Sequence, residues 1–141
     1  MSHTEQVMSI VESLPFARTL GMRCEVFGDE MTAVLPFQEK LIGNSAIQAL
    51  HGGAIGAFLE MTAMAQLYLV GDLAQPPRAI DLTIDYLRSG RADTLFARAS
   101  VRKLGSRMSS VHAEAWQSDR DKPVATLRAQ FLVEVRSNSD D

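Results

Sequence analysis

The sequence predicts an α+β fold in which one curved antiparallel sheet of about six strands wraps round a long central helix, with a short helix at the N-terminus. Two patterns predict it. Residues Gly52 to Val70 are almost uniformly apolar, rich in Ala, Leu and Met, with Glu60 as their only charge. A helix apolar all round is one buried on all sides. Before and after that stretch the apolar residues recur with a period of two, the mark of strands that turn one face to a core.

At the N-terminus, Ser2-His3-Thr4-Glu5 offers a capping box, and Val7, Ile10, Val11 and Leu14 follow at helical spacing until Pro15 ends the run. From Gly21 the pattern changes. Met22, Cys24 and Val26 alternate with Arg23, Glu25 and Phe27, and after Gly28-Asp29 the residues Met31, Ala33 and Leu35 alternate again, so two strands form a hairpin. The stretch from Gly52 to Val70 makes a helix about 28 Å long. That length, with Gly52 and Gly56 as a G-x-x-x-G pair, also suits a membrane span. Glu60, Thr62 and Gln66 dilute the run and no basic flank accompanies it, so a core helix is expected.

After the Gln75-Pro76-Pro77 break come four more strand patterns. Their apolar faces are Ile80, Leu82, Ile84 and Tyr86; Leu95, Ala97, Ala99 and Val101; Val111, Ala113 and Ala115; and Ala125, Leu127, Ala129, Phe131, Val133 and Val135. Short turns at Ser89-Gly90 and Leu104-Gly105-Ser106 predict that consecutive strands pair antiparallel. Residues 1–136 are expected to form one domain, and the polar residues 137–141 a frayed tail.

Composition narrows the function. A hydrophobic fraction of 46% and a charged fraction of 22% are those of a globular chain with a sizeable core. The net charge of -3 argues against nucleic-acid binding, which calls for a basic, counterion-releasing face. His3, His51 and His112 are far apart and no Cys pair accompanies them, so no metal site is expected. Cys24 has no partner for an internal disulfide and sits in an apolar alternation, as a buried structural thiol would. With no basic head or small-residue cleavage site in the first twenty residues or so, the expected location is cytoplasmic.

Chemistry concentrates at the start of the central helix, where the loop Leu41 to Leu50 runs into His51-Gly52-Gly53. Glycines allow close approach of the backbone, and the first helical turn leaves N–H groups unpaired and slightly positive, so an oxyanion hole is one reading. The other is a tight path into the helix. Glu60 is a lone carboxylate in an apolar helix, which is costly unless it is paired, hydrogen-bonded or wet. It is either a buried ion pair with an arginine or a general base or nucleophile with a pKa raised by desolvation. Gly52 and Glu60 lie about 12 Å apart along a helix, too far to touch one carbonyl together. Two protomers with antiparallel helices would bring the helix start of one to the middle of the other, so an obligate homodimer is expected.

At these residues the sequence resembles the hotdog-fold thioesterases, particularly the phenylacetate-degradation and 4-hydroxybenzoyl-CoA thioesterase group. The resemblance covers nearly the whole chain: N-terminal helix, hairpin, His51-Gly52-Gly53, the acid nine residues after the histidine, Ile84-Asp85-Tyr86-Leu87 and Gly105. It implies hydrolysis of an acyl-CoA or similar thioester, in which Glu60 activates water or attacks the carbonyl and the Gly52 amide polarises the carbonyl oxygen. It further implies that His51 shapes the loop, that Asn44 or Ser45 helps to hold the carbonyl or the water, and that Gly53 contacts substrate. Arg102, Lys103, Gly105 and Arg107 resemble the basic turn that meets the CoA phosphates, with Arg88 and Arg91 weaker candidates; a solvated hairpin tip is the alternative for each. Coenzyme A is then part of the substrate and no separate cofactor is called for. Two such dimers would pair as a dimer of dimers, a homotetramer.

The sequence departs from the group's pattern in three places. The loop Ala46-Ile47-Gln48-Ala49-Leu50 lacks a glycine ahead of His51, and Ala79 and Met64 stand where relatives carry Ser or Thr helpers. Two rival functions share the fold. A 3-hydroxyacyl-thioester dehydratase would carry its histidine in a His-Phe-Pro-Gly stretch, which is absent, and a non-catalytic acyl-CoA-binding regulator would add a helix-turn-helix domain, for which there is no room. Gly43 to Ile47 lacks the closing glycine of a serine-hydrolase elbow.

Overall fold

The computed structural model describes residues 3–136. Ser2 of the expected capping box and the tail 137–141 lie outside the described residues. Helix α1, His3–Ser13, buries Val7 and Val11, with Leu14 just beyond its end. The first helical run stops ahead of Pro15, as the sequence predicted, but Pro15 is also a start. It opens a second helix, α2, Pro15–Leu20. At a helix start the missing proline N–H is no loss, and the fixed φ suits the first turn. Helix α2 stops at Gly21, whose φ of 78° is left-handed and whose N–H donates to the carbonyls of Ala17 and Arg18.

Strands β1, Arg23–Phe27, and β2, Glu30–Leu35, form the expected hairpin, with Cys24 opposite Ala33. A single 3-10 turn, Glu39–Leu41, then leads into a small hairpin of β3, Ile42–Asn44, and β4, Ala49–Leu50. Strands of three and two residues are too short to show a period, which is why alternation missed them. Helix α3 spans Gly52–Val70, the bounds read from the sequence. It is followed by β5, Arg78–Tyr86; β6, Leu95–Leu104; β7, Met108–Trp116; and β8, Ala125–Leu132. The last strand is shorter than its alternation suggested. Beyond Leu132 the chain leaves the sheet, and Val135 forms an isolated bridge with Leu73.

The six-stranded sheet runs in the order β1-β2-β6-β7-β8-β5, with every neighbouring pair antiparallel. The expectation that β5 pairs with its successor is therefore corrected: β5 lies at the sheet edge, bonded to β8 alone. The connection 87–94 passes under the start of α3 instead of turning back. There Leu50 donates its N–H to the Gly90 carbonyl at 2.9 Å, and the Gln117 side chain holds the Arg91 carbonyl at 2.8 Å. Arg88 Nε donates to the Pro123 carbonyl and Arg91 Nη2 to the Ser118 hydroxyl, so both arginines fasten this crossover.

The core lies between α3 and the inner sheet face, where Phe58, Leu59 and Leu67 meet Leu35, Leu95, Val111, Leu127 and Phe131, all fully buried. Helix α3 is long and apolar enough to cross a membrane, but 67% of its most apolar window is buried inside the fold, which makes it the core helix. Cys24 is buried, and burial pushes its thiol up to about 12, so it is a structural side chain and not a nucleophile.

Candidate active site

The start of α3 is built by His51. Its backbone is extended and its N–H donates to the Leu41 carbonyl at 2.7 Å, tying the helix start to the 3-10 turn. Its Nδ1 accepts the Gly53 N–H at 2.9 Å, so the imidazole acts as the helix cap with its proton on Nε2. The amides of Ala54 and Ile55 donate to the His51 carbonyl. The Gly52 N–H is left without a partner among the described residues. One free amide therefore stands at the positive end of the helix, and it belongs to Gly52, not Gly53. Replacing His51 with Ala should cost about 1 kcal/mol of stability through the lost cap, and His51→Asn, which keeps an acceptor, should recover most of it; thermal melts would read both.

Tyr86, given no role at the site from sequence, fixes the same turn by donating its hydroxyl to the Gly52 carbonyl at 2.7 Å. The available signal was a lone phenol closing an aliphatic stripe, since a tyrosine presents a polar tip beyond an apolar body.

Glu60 lies on the same stripe of α3, reached from Gly52 through Gly56 in two steps of four residues. A Cβ built on Gly52 would sit 3.6 Å from the Tyr86 ring, and one on Gly56 would sit 2.9 Å from Ile84 Cδ1. Glycine at 56 is what lets β5 come so close. Glu60 is half-buried and makes no ion pair or hydrogen bond among the described residues, so no arginine of the described protomer pairs with it. Burial without a partner raises its carboxyl above the ordinary glutamate value.

The apolar face of β5 flanks this stripe. Ile80, Leu82 and Tyr86 are 48%, 38% and 52% exposed on an edge strand that pairs with no strand but β8 among the described residues. An open sheet edge carrying aliphatic side chains is a surface that another chain normally covers.

The remaining sequence-derived residues do not converge here. Asn44 and Ser45 form the exposed tip of the β3–β4 hairpin. Asn44 Oδ1 accepts the Ala46 N–H at 3.1 Å and the Ser45 carbonyl accepts from Gln48 Nε2 at 2.8 Å. Arg102, Lys103 and Arg107 are exposed round the Gly105 turn, where a side chain on Gly105 would collide with the Met108 carbonyl oxygen. That turn lies at the far end of α3, because Leu104 packs against Gly71, about 28 Å along the helix from Gly52 of the same chain. Ala79 is exposed on β5, whereas Met64 is buried in the core. A cavity of about 880 Å³ lies elsewhere, where β2 and β6 part; Gln66, Arg98, Arg102 and His112 line it and neither Gly52 nor Glu60 does.

Residues 48–124, running from the helix-start loop through β7, match the family model of the thioesterase superfamily. The chain belongs to this superfamily. It is 30% identical to the Escherichia coli K12 medium/long-chain acyl-CoA thioesterase YigI over 140 residues, which cover 87% of this chain and 88% of the relative. A crystal structure from Chromobacterium violaceum shares 40% identity with a TM-score of 0.72 over 91% of this chain and 89% of that one. The E. coli PaaI protein of the phenylacetic acid degradation operon shares the fold, with a TM-score of 0.78 at 24% identity over 93% of each chain. The hotdog architecture and the thioesterase membership expected from the His51–Glu60 pattern are thus those of this chain.

Proposed function

We propose that this thioesterase hydrolyses acyl-CoA thioesters at sites shared by two protomers, with the Gly52 amide of one polarising the carbonyl and Glu60 of the other activating the water or attacking directly. The observation that carries the reading is an unpartnered, half-buried carboxylate on the same helical stripe as a free helix-start amide, about 12 Å away and along an open sheet edge. Two helices laid antiparallel across that edge bring Gly52 of each beside Glu60 of the other. In the base form, Glu60 takes a proton from water, the hydroxide adds to the carbonyl carbon, the C–S bond breaks, and the thiol leaves with the proton that Glu60 held. A thiolate leaves readily, so one base and one oxyanion donor suffice and no resident cofactor is needed.

The same pairing supports the CoA assignment of Arg102, Lys103, Gly105 and Arg107. With Gly52 opposite Glu60 of the partner, the partner's basic turn falls about 16 Å beyond the helix start, a span that an extended pantetheine arm bridges. YigI is named for medium and long acyl chains, and an aliphatic substrate is the matching choice here. We place the reaction in the cytoplasm, where acyl-CoA substrates and a reduced, buried Cys24 are both at home. The test is to incubate the wild-type chain with acyl-CoAs from acetyl to palmitoyl while trapping free thiol. Thiol release above the uncatalysed rate is expected, and none with any acyl group would remove the reading.

A further inference from the structure

A second cavity, of about 370 Å³, lies between α2 and the start of α3, lined by Phe16, Thr19, Leu20, Lys40, Leu41 and the helix-start residues His51, Gly53 and Ala54. Its wall residues from α3 bracket Gly52, so a carbonyl held at the Gly52 amide has this cavity beside it. Its volume is at the lower end of the range for small-molecule sites.

We propose that this cavity takes the aliphatic tail of the acyl group and that Phe16 and Ala54 set which chain lengths are accepted; this rests on the thioester hydrolysis proposed above. The thioester's two arms differ in what they need. A pantetheine arm carries amides and a hydroxyl, each requiring a hydrogen-bond partner, whereas an alkyl tail requires only apolar wall. In this cavity several of the polar groups are already engaged. The Gly53 N–H donates to His51 Nδ1, Lys40 Nζ donates to the Thr19 carbonyl at 2.7 Å, and the Thr19 hydroxyl donates to the Pro15 carbonyl at 3.1 Å. The wall offered to a ligand is then chiefly the apolar surface of Phe16, Leu20, Leu41 and Ala54.

The rim is adjustable on one side only. Leu20 and Leu41 are buried in the core, while Phe16 is 48% exposed at the rim. Helix α2 is itself held in place by its left-handed Gly21 cap and by the Lys40 bond to Thr19. Chain length is then read by how far a tail reaches past Ala54 before meeting the Phe16 ring.

The test compares kcat/KM for straight-chain acyl-CoAs from acetyl to palmitoyl in the wild type, Ala54→Leu and Phe16→Ala. Ala54→Leu should lower the ratio of long-chain to short-chain kcat/KM at least tenfold, and Phe16→Ala should move the optimum to longer chains. Ratios within twofold of wild type in both variants would overturn the proposal while leaving the hydrolytic reading intact. Phe16→Ala removes only an exposed ring, so it decides the question if Ala54→Leu fails to fold. Calorimetric binding of non-hydrolysable thioether analogues of the same chain lengths supplies an arm independent of turnover. If the wild type hydrolyses nothing, an affinity that rises with chain length, falls tenfold for the long chains in Ala54→Leu and shifts to longer chains in Phe16→Ala still supports the tail pocket, and affinities unchanged from wild type in both variants overturn it.

Discussion

Glu60→Gln is expected to lower kcat by about 10²- to 10⁴-fold, the range for loss of a positioned general base, with the fold retained. Glu60→Asp should fall between, since it keeps the carboxylate but withdraws it by one methylene. Thiol release under saturating acyl-CoA reads both, and unchanged turnover in Glu60→Gln would remove the central claim. The pH dependence follows from burial. Desolvation raises the carboxyl above its ordinary value of 4.5, so the acid limb of kcat/KM should lie above that pH. Stability runs the other way. The folded state disfavours the charged form, so the side chain is tolerated fully below 4.5 and destabilises as pH rises through the raised folded value. At neutral pH Glu60→Gln should therefore melt slightly higher than wild type, by less than about 1 kcal/mol because the group is half in solvent, and at pH 4 the gain should vanish. A variant that melts lower at neutral pH would mean that Glu60 has a stabilising partner after all.

Arginine at Ile80 and Leu82 together should turn the assembly into monomers and reduce hydrolysis to the uncatalysed rate, a loss as large as that of Glu60→Gln. Both side chains are exposed in the protomer, so the substitution leaves its core untouched, whereas in a pair of protomers it would bury two unpaired cations against the facing β5 edge. Light scattering reads the mass and thermal melting checks that each monomer is folded. A folded monomer that still turned over would contradict the shared site. The geometry explains why the two effects should match in size: about 12 Å of helix separates Gly52 from Glu60 in one chain, and catalysis needs both at one carbonyl.

Much of this was legible in the residues. The bounds of α3 follow from composition alone, because an all-round apolar run ending at glycines leaves little choice of element. The hairpin of β1 and β2 follows from alternation and from Gly28-Asp29. Helix α2 escaped notice because a proline reads equally as a stop and as a start, and only the packing of Ala17 and Leu20 chooses between them. The place of β5 escaped for a related reason. Ser89-Gly90 is a good turn, but its contacts with Leu50 and Ile55 beneath the helix are long-range and leave no local mark.

The site divides along the same line. By itself the sequence determined that a carboxylate sits in the middle of a buried helix and that glycines open that helix, since both are matters of residue type and spacing. Tertiary structure alone decided that Glu60 makes no ion pair among the described residues of the protomer, that His51 occupies the Gly53 amide and leaves the Gly52 amide without a partner among them, and that the start of the helix packs beside the edge strand β5. Those outcomes depend on which elements meet in space, and a period of 3.6 or 2 fixes only which residues share a face, not what that face will meet.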